Sequence, residues 1–391
     1  FPYTTLFRSM KTGRLSFTTD FSAVKDADVH FVCVGTPQSK DGLAADLTYV
    51  KSSVAAIAPH LKEGALVVGK STVPVGTAQA LRDILATSAP QADLAWNPEF
   101  LREGTALQDS LLPDRIVIGV KEAWAEKLLR LLYEPITNQG VPLLTVDIPT
   151  AELVKVAANS FLATKISFIN AMAEIAEVAG ADAVKLSEAI GLDERIGNKF
   201  LKSGIGFGGG CLPKDIRGFV ARAEELGVGQ AVGFLKEVEA INLRRRSRVI
   251  ELAQEELGDL TGRRVTILGA AFKPETDDIR DSPAMAVAEQ FWMAGAKVVI
   301  HDPKALENVR RVYPQLETED NLHASVRGAD IVVLTTEWKQ YRTVDPLLLG
   351  QHVTNRLIID GRNALDVPTW QAANWQVIAL GRNLDRIPAL V

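Results

Sequence analysis

Residues 26–37 read DADVHFVCVGTP, in which a mostly apolar run over residues 29–34 is closed by a Gly-Thr-Pro turn. A short apolar run bounded by turn residues is typical of a buried strand. Residues 328–334, GADIVVL, echo residues 26–32 and predict a second strand of the same kind. Around both runs, further short apolar runs alternate with helical patterns. This alternation predicts parallel sheets that are covered by helices on both faces.

The alternation occupies two parts of the chain, and a helical part separates them. Residues 150–178 contain neither glycine nor proline and carry apolar residues at helical spacing. They predict one helix of about 30 residues, about 45 Å long, with Thr150 as its capping residue. The predicted fold is α/β, with two Rossmann-like doubly wound domains joined by a long central helix and a helical middle domain. The predicted domain boundaries are residues 1–148, 149–258 and 259–391.

Composition and charge exclude several classes of function. The 391 residues include 43 Lys and Arg against 48 Asp and Glu, a formal net charge of -5. Such an acidic chain is not expected to bind nucleic acid or an anionic membrane. No apolar run approaches the roughly 18 residues of a membrane helix and no secretory signal is recognised, so a cytoplasmic location is predicted. The two cysteines and five scattered histidines predict neither a disulfide scaffold nor a metal site, and Cys33 is predicted to be a core residue.

A glycine-rich stretch at residues 204–209, GIGFGG, formally matches the dinucleotide-binding pattern G-x-G-x-x-G. That pattern should follow a buried strand, whereas residues 197–203 are polar and basic. The glycines are therefore predicted to form a loop that lets a ligand approach the backbone closely. Cys211 follows this loop and Pro213 suits the first turn of a helix, so the thiol is predicted at a helix N-terminus beside Lys214. Both features stabilise a thiolate, as a nucleophilic cysteine requires.

Three polar residues, Glu152, Lys155 and Asn159, share one face of the predicted long helix. Lys155 and Asn159 could direct a cation and an amide donor at a developing oxyanion, or they could belong to a solvated stripe. Glu99 and Glu103 lie beside a predicted strand end, where ligands collect in α/β sheets. Taken singly, each of these carboxylates is more often a surface charge.

Seven strings that follow one another along the chain resemble the nucleotide-sugar 6-dehydrogenases, the UDP-glucose/GDP-mannose dehydrogenase family. They are VGTP (34–37), STVPVGT (71–77), NPEFLREG (97–104), ELVKVAAN (152–159), RIGNKFLKSGIGFGGGCLPKD (195–215), AFK (271–273) with Arg280, and DGR (360–362). The resemblance implies oxidation of a sugar C6 alcohol to a carboxylate in two NAD-dependent steps. The string before Cys211 looks more like the branch acting on UDP-glucose, with GDP-mannose or UDP-N-acetylmannosamine as the alternative substrate.

The resemblance also implies residue roles. Cys211 would attack the C6 aldehyde to give a thiohemiacetal, which is oxidised to a thioester and then hydrolysed. Lys155 and Asn159 would hold the oxyanion, and the residues implied to act on protons and water are Asp215, Glu99 and Thr72. The implied substrate-binding residues are Glu99, Phe100, Leu101, Arg102, Lys155, Asn159, Arg195, Phe200, Leu201, Lys202, Ser203, Gly204, Gly208, Phe272, Lys273 and Arg362. Those implied for NAD are Thr36, Thr72, Glu103, Lys214 and Arg280.

Two further expectations follow from the resemblance. The third domain would hold the uridine diphosphate, and Arg195 would reach the site of a partner subunit in a homodimer or higher homo-oligomer. Family members open with a strand, a G-x-G-x-x-G turn and an acidic residue for the ribose, and this chain matches none of these at its front. We therefore expect a truncated first domain, with residues 1–9 foreign to it. A catalytically inactive nucleotide-sugar-binding fragment is the alternative function.

Overall fold

The computed structural model describes residues 8–39 and 42–384. The chain divides into two compact units, Phe1–Val156 and Ala157–Val391, and each contains one sheet. The predicted foreign origin of residues 1–9 falls mostly on residues 1–7, which lie outside the described residues. Within the described residues, no helix is both long and apolar enough to cross a membrane.

The first unit is built on a five-stranded sheet whose strands follow chain order. The strands are β1 (Val29–Val32), β2 (Leu66–Gly69), β3 (Asp93–Trp96), β4 (Ile116–Gly119) and β5 (Leu143–Val146). Neighbouring strands are parallel except β3 and β4, which meet in antiparallel register at Trp96 and Gly119. The carboxyl ends of β1, β2 and β3 therefore share one edge of the sheet.

Helices cover both faces of this sheet. They are α1 (Thr48–Ile57), α2 (Thr77–Ser88), α3 (Ala106–Leu111) and α4 (Ala123–Thr137), with short 3-10 turns at Phe21–Val24 and Ala58–His60. Because successive strand residues point to opposite faces, Val67 of β2 joins one apolar core while Leu66 and Val68 join the other. The predicted doubly wound arrangement is confirmed in this unit.

The prediction that Cys33 is a core residue is wrong. β1 ends at Val32, and Cys33 follows it as an exposed free cysteine. The apolar run predicted burial because it resembles a central strand. In the described residues, however, β1 pairs only with β2 and lies at the sheet edge, so Phe31 is also 38% exposed.

The predicted long helix is confirmed as α5, which comprises the 32 residues Ile148–Ala179. Its predicted cap at Thr150 is wrong. The Asp147 carboxylate instead accepts hydrogen bonds from the backbone N–H and the hydroxyl of Thr150, at 2.8 and 2.9 Å. Pro149 occupies the first turn, where its missing N–H costs no helical hydrogen bond.

The second unit combines helices with a parallel sheet. After α5 come α6 (Ala183–Gly191), α7 (Leu212–Glu225), a 3-10 turn at Gly229–Val232 and α8 (Phe234–Leu257). The strands are β6 (Arg264–Leu268), β7 (Lys297–His301), β8 (Glu317–Thr318), β9 (Ile331–Leu334), β10 (Leu357–Asp360) and β11 (Gln376–Ala379). The helices among them are α9 (Pro283–Met293), α10 (Leu306–Val312), α11 (Leu322–Ser325), α12 (Lys339–Arg342), α13 (Pro346–Leu349) and α14 (Val367–Ala372).

This second sheet has the strand order of a dinucleotide-binding fold. The order is β11-β10-β9-β6-β7-β8, and all neighbouring pairs are parallel. Counted from β6, this is the order 3-2-1-4-5-6 read from the other edge, with its topological switch point between β6 and β9. Ligands of such sheets bind outside the carboxyl ends of the strands at that point. The loops after β6, β9 and β10 therefore border the expected ligand crevice.

Candidate active site

In the first unit, two predicted cofactor residues meet at the carboxyl edge of the sheet. Thr36 follows β1 and Thr72 follows β2. The Thr36 hydroxyl donates to the Thr72 carbonyl oxygen at 2.7 Å, and Thr36 is buried. The structure thus joins these two sequence-predicted positions directly. A third predicted cofactor residue, Glu103, is acidic and exposed.

A polar cluster at the same edge was not recognised from the sequence. The Lys70 ammonium, directly after β2, donates to Asn97 Oδ1 at 2.9 Å, and the Tyr133 hydroxyl donates to the same oxygen. Asn97 in turn donates through Nδ2 to the carbonyl of Val117 at 2.8 Å. Burial lowers the pKa of Lys70 and raises that of Tyr133 to about 12. The position of Lys70 immediately after a predicted strand was the available signal.

Glu99 and Lys155, both predicted catalytic residues, form an ion pair within the first unit. Glu99 Oε1 lies 3.5 Å from Lys155 Nζ, and the Lys155 side chain is only 7% exposed. Two cations lie near the Phe100 ring, with Arg115 at 3.9 Å and Lys155 at 5.4 Å from its centroid. Lys155 is therefore not part of a solvated stripe. Its charge is held against a carboxylate and an aromatic face, both of which stabilise the ammonium.

Other predicted residues of this segment have structural partners. Arg102 binds Asp109 through its guanidinium, with Nη2 to Oδ1 at 2.5 Å and Nε to Oδ2 at 3.1 Å. These hydrogen bonds lower the pKa of Asp109 to about 2. The Leu101 N–H donates to Glu99 Oε2 at 2.6 Å. The loop after β3 is thus organised by its own carboxylates.

Glu152, on the same predicted helix face as Lys155, caps another helix. Its two carboxylate oxygens accept from the backbone N–H groups of Gly76 and Ala78, at 2.8 and 2.7 Å. These N–H groups lie at the start of α2, where a negative charge also complements the helix dipole. The Glu152 carboxylate thus links α5 to α2, and because Glu152 is only 2% exposed, this link is buried.

In the second unit, four predicted residues come together at the start of α7. Cys211 is the residue that precedes Leu212, the first residue of this helix, and it is exposed. The buried Asp215 carboxylate accepts from Asn159 Nδ2 at 2.7 Å and from Lys214 Nζ at 2.6 Å. The predicted helix N-terminus for the thiol is confirmed. The Lys214 ammonium pairs with Asp215, so its charge is shared with that carboxylate.

The glycine-rich segment before Cys211 packs closely against its own chain. A Cβ atom on Gly204 would lie 2.5 Å from the Gly361 carbonyl oxygen, and one on Gly208 would lie 2.2 Å from that of Asp281. At these two positions glycine allows the close approach of the protein's own backbone. The predicted close approach of a ligand stays a prediction.

Residues 200–204, which lead into this segment, include predicted substrate residues, some of which are buried and others exposed. Leu201, Ser203 and Gly204 are buried, whereas Phe200 and Lys202 are exposed. The Gly204 N–H donates to Asn170 Oδ1 at 2.9 Å, and Asn363 Nδ2 donates to Ser203 Oγ at 3.1 Å. Side chains from elsewhere in the second unit therefore hold this segment at both positions.

Arg362, which follows β10, lies in the crevice region and joins three segments. Its Nε donates to the Thr335 carbonyl at 2.7 Å, Nη1 to that of Gly206 at 3.0 Å and Nη2 to that of Phe272 at 3.2 Å. Glu337 Oε2 lies 3.5 Å from Nε. The guanidinium thus positions the loops that carry other predicted residues, in addition to any ligand contact.

The loop after β6 contains the remaining predictions. Lys273 lies with its ammonium 5.3 Å from the centroid of the Phe272 ring. Arg280 binds Asp278 through Nε and Nη2, at 2.9 and 2.7 Å, and its side chain is 71% exposed. Arg195 is also exposed and pairs with Asp193 at 2.6 Å. Both arginines therefore present their charges at the surface of the second unit.

An internal carboxylate occupies the turn where a dinucleotide fold binds pyrophosphate. Asp302, at the end of β7, accepts from the backbone N–H groups of Ala270 and Ala271 at 2.8 and 3.1 Å, and from Trp338 Nε1 at 3.1 Å. Backbone N–H groups at this turn normally bind a phosphate anion. Asp302 was not predicted, although its place after the second strand of the domain was visible.

Three family models match this chain. All belong to the UDP-glucose/GDP-mannose dehydrogenase family: the NAD binding domain matches residues 3–137, the central domain residues 149–244 and the UDP binding domain residues 266–367. Because the first match begins at residue 3, the predicted absence of the front of this domain is not evident in it.

Individual relatives agree with these matches. The chain is 40% identical over 361 residues to UDP-glucose 6-dehydrogenase of Rhizobium meliloti, covering 91% of this chain and 82% of that protein. A solved UDP-glucose dehydrogenase from Pyrobaculum islandicum is 37% identical, with a TM-score of 0.86 over 97% of this chain and 85% of that one. A UDP-D-ManNAc dehydrogenase structure from Pyrococcus horikoshii is 26% identical, with a TM-score of 0.83 over 96% and 86%.

Proposed function

We propose, because the chain belongs to the UDP-glucose/GDP-mannose dehydrogenase family, that this NAD-dependent dehydrogenase oxidises the C6 alcohol of UDP-glucose to the carboxylate. The observation that supports UDP-glucose as the substrate is the 40% identity to a UDP-glucose 6-dehydrogenase. The identity to the UDP-D-ManNAc dehydrogenase is only 26%. UDP-N-acetylmannosamine is therefore the second candidate substrate, and GDP-mannose is the further alternative within the family.

The carboxyl edge of the first sheet fits a nicotinamide dinucleotide. Thr36 and Thr72 lie after neighbouring parallel strands, where ligands of α/β sheets bind. Threonine hydroxyls and backbone groups can donate to or accept from a dinucleotide without bringing a charge of their own. We assign these two residues to NAD, together with Glu103, Lys214 and Arg280. When bound, NAD supplies the hydride acceptor for both oxidation steps.

We assign Cys211 as the nucleophile of the second oxidation. Its thiolate would add to the C6 aldehyde, forming a carbon–sulfur bond and moving the carbonyl electron pair onto oxygen. Loss of hydride from C6 then gives a thioester, and water cleaves the carbon–sulfur bond to release the carboxylate and the thiol. The position of Cys211 at the start of α7 supports this role, since the helix N-terminus favours a negative sulfur.

The polar residues around these steps have distinct proposed roles. Lys155 and Asn159 would stabilise the oxyanion, the first as a cation and the second as an amide donor. Asp215 would orient Asn159, which it contacts at 2.7 Å. Glu99, paired with Lys155 at 3.5 Å, would accept a proton through water, and Thr72 would help to hold that water.

The second unit supplies the proposed nucleotide-sugar site. Lys202, Lys273 and Arg362 offer cations for the diphosphate, and Lys273 and Arg362 follow β6 and β10 at the ligand edge of the sheet. The other residues that we assign to the substrate contribute shape and backbone contacts: Phe100, Leu101, Arg102, Phe200, Leu201, Ser203, Gly204, Gly208 and Phe272. Arg195 would reach the substrate site of a partner subunit.

We further propose that the chain forms a homodimer or a higher homo-oligomer. On α5, Phe161, Phe168 and Ile175 are 67%, 50% and 59% exposed and recur every seven residues. An exposed apolar stripe with this repeat is typical of a helix that packs against another helix. Phe168→Glu should lower the oligomeric state measured by sedimentation, whereas an unchanged sedimentation coefficient would contradict this interface.

Compartment and domain roles complete the proposal. Neither Cys33 nor Cys211 forms a disulfide in the described part of the chain, which favours a reducing compartment such as the cytoplasm. The family matches fall within the predicted domains, so we assign NAD to residues 1–148, the catalytic cysteine to residues 149–258 and UDP to residues 259–391.

An assay of NADH formation tests the proposed function. Two NADH should form for each UDP-glucose oxidised to the acid, and UDP-N-acetylmannosamine and GDP-mannose should react far more slowly. If one of those sugars is preferred, the substrate assignment is wrong. If UDP-glucose binds in calorimetry without any turnover, the inactive-fragment alternative is correct. A chain extended with the family's G-x-G-x-x-G segment, assayed in parallel, shows whether the front of the domain limits activity.

The nucleophile has its own test. Cys211→Ser should reduce formation of the acid by a factor on the order of 10³ or more, because the hydroxyl is a far weaker nucleophile than a thiolate. Cys33→Ser serves as the matched control, since Cys33 is also exposed and has no assigned role. Acid production by Cys211→Ser equal to that of Cys33→Ser would remove the covalent step from the proposal.

A further inference from the structure

We propose that Asn242 is a positioning residue for the reaction. Its side chain holds the glycine-rich segment, residues 204–210, in the conformation that places Cys211 at the start of α7. The inference rests on the proposed role of Cys211 as the nucleophile. Asn242 lies on α8, and neither the sequence motifs nor the proposed mechanism gives it a function.

The side chain of Asn242 pairs with both backbone groups of Phe207. The Phe207 N–H donates to Asn242 Oδ1 at 2.7 Å, and Asn242 Nδ2 donates to the Phe207 carbonyl at 3.0 Å. Asn242 is 2% exposed, so water does not compete for these bonds. A planar amide offers one acceptor and two donors, whereas an ionised aspartate can only accept. The pairing therefore requires an amide at this position.

The residue before Phe207 is a glycine, and its lack of a side chain leaves room for Asn242. Gly206 has φ +89°, and a Cβ atom built on it would lie 2.0 Å from Asn242 Oδ1. Any other residue at this position would combine backbone strain with a steric clash. Glycine at 206 and asparagine at 242 are thus two parts of one arrangement.

Arg246, one helical turn after Asn242, reinforces the same point of the segment. Its Nη2 donates to the Phe207 carbonyl at 3.0 Å, and the residue is buried. Two side chains of α8 therefore bond one peptide group, four residues before Cys211. The chain is held midway between the Gly204 N–H, bound by Asn170, and the Gly209 N–H, which donates to the Arg280 carbonyl at 3.0 Å.

These contacts matter because glycines do not hold a conformation by themselves. A glycine-rich segment loses more backbone entropy on ordering than other segments, so its conformation depends on bonds from outside. Misplacement of a reacting group by about 1 Å can cost about 100-fold in rate. Loss of the Asn242 amide is therefore expected to lower the rate of the covalent step through the position of Cys211.

The test compares Asn242→Asp with Ser167→Ala. The first variant keeps the size of the side chain but replaces the Nδ2 donor, which bonds the Phe207 carbonyl, with a second carboxylate oxygen that can only accept. The control removes another buried tie of α8, the hydrogen bond of 2.6 Å from Ser167 Oγ to the Val238 carbonyl, without touching the glycine-rich segment. Both variants are matched for folding by circular dichroism and assayed below their melting temperatures. Asn242→Ser replaces Asn242→Asp if the charged variant does not fold.

We expect Asn242→Asp to lower kcat about 100-fold, because the amide no longer holds the segment that positions Cys211. The rate of Cys211 alkylation by iodoacetamide, followed by peptide mass spectrometry, should change with kcat. Ser167→Ala should leave both at wild-type values. Wild-type kcat and alkylation in a folded Asn242→Asp protein would overturn the inference. If the wild type has no turnover, the proposed function fails, and the alkylation rates alone decide whether Asn242 positions Cys211.

Discussion

Strands β1 and β9 have echoing sequences, DADVHFV and GADIVVL, but occupy different positions in their sheets. β9 lies between β10 and β6, and all four of its residues are buried. β1 pairs only with β2 in the described residues, and Phe31 is exposed there. The comparison teaches that an apolar run predicts a strand, whereas the neighbours of that strand determine how much of it is buried.

The two sheets also differ at their carboxyl edges. In the second sheet, Asp302 and Asp360 bind backbone N–H groups of the loops, and Asp360 accepts from Arg362, Ala364 and Leu365 at 2.8–3.0 Å. In the first sheet the corresponding edge carries the hydroxyls of Thr36 and Thr72 and the Lys70 cluster. The second edge is therefore held by buried anions, whereas the ends of β1 and β2 in the first sheet are held by neutral hydrogen bonds and one lysine.

The largest expected difference is between matching positions of the two strands. Val333 of β9 is fully buried, while Phe31, its counterpart in β1, is 38% exposed. Val333→Asp should destabilise the second unit by about 4 kcal/mol or more, because it buries a charge without a partner. Phe31→Asp should cost the first unit about 1 kcal/mol or less. Hydrogen exchange of the strand amides in each unit measures both changes, and equal losses would refute the edge assignment of β1.

The next effect concerns the buried anion at the second edge. Asp360→Ala should destabilise the second unit by about 3 kcal/mol, since it leaves three loop N–H groups without an acceptor. Asp345→Ala is the control and should cost about 1 kcal/mol, because the Asp345 carboxylate accepts from the Leu347 N–H at the exposed start of α13. Urea unfolding of both variants gives the comparison, and a smaller loss for Asp360→Ala than for Asp345→Ala would contradict the anchoring role.

The smallest effect is pH-dependent and concerns His30, whose counterpart in β9 is Val332. His30 is 7% exposed, its Nε2 makes no hydrogen bond to a described residue, and burial lowers its pKa. Below about pH 6.5 the unfolded chain binds a proton that the folded state resists, so stability falls as the pH falls. His30→Val should stabilise the first unit by about 1 kcal/mol at pH 7.5 and remove part of the loss at pH 5. Parallel pH dependences for both proteins would show that His30 has no such effect.

Sequence patterns predicted the parts of the candidate site that depend on local chain properties. Pro213 after Cys211 predicted the helix start that α7 confirms, and the absence of glycine and proline over residues 150–178 predicted α5. The patterns did not reveal which charges would be paired. Lys155 could have been solvated, and only the structure shows that its side chain is buried and lies 3.5 Å from the Glu99 carboxylate.

By itself the sequence determined the strand runs, the long helix, the cysteine at a helix start and the family, because periodicity, turn residues and motif strings are properties of neighbouring residues. Only the tertiary structure decided that Cys33 is exposed, that Asp302 occupies the turn after β6, and that Asn242 holds Phe207. The partners Asn242 and Phe207 are 35 residues apart in the chain. Burial and hydrogen-bond partners depend on such distant segments meeting, and no local pattern records which segments meet.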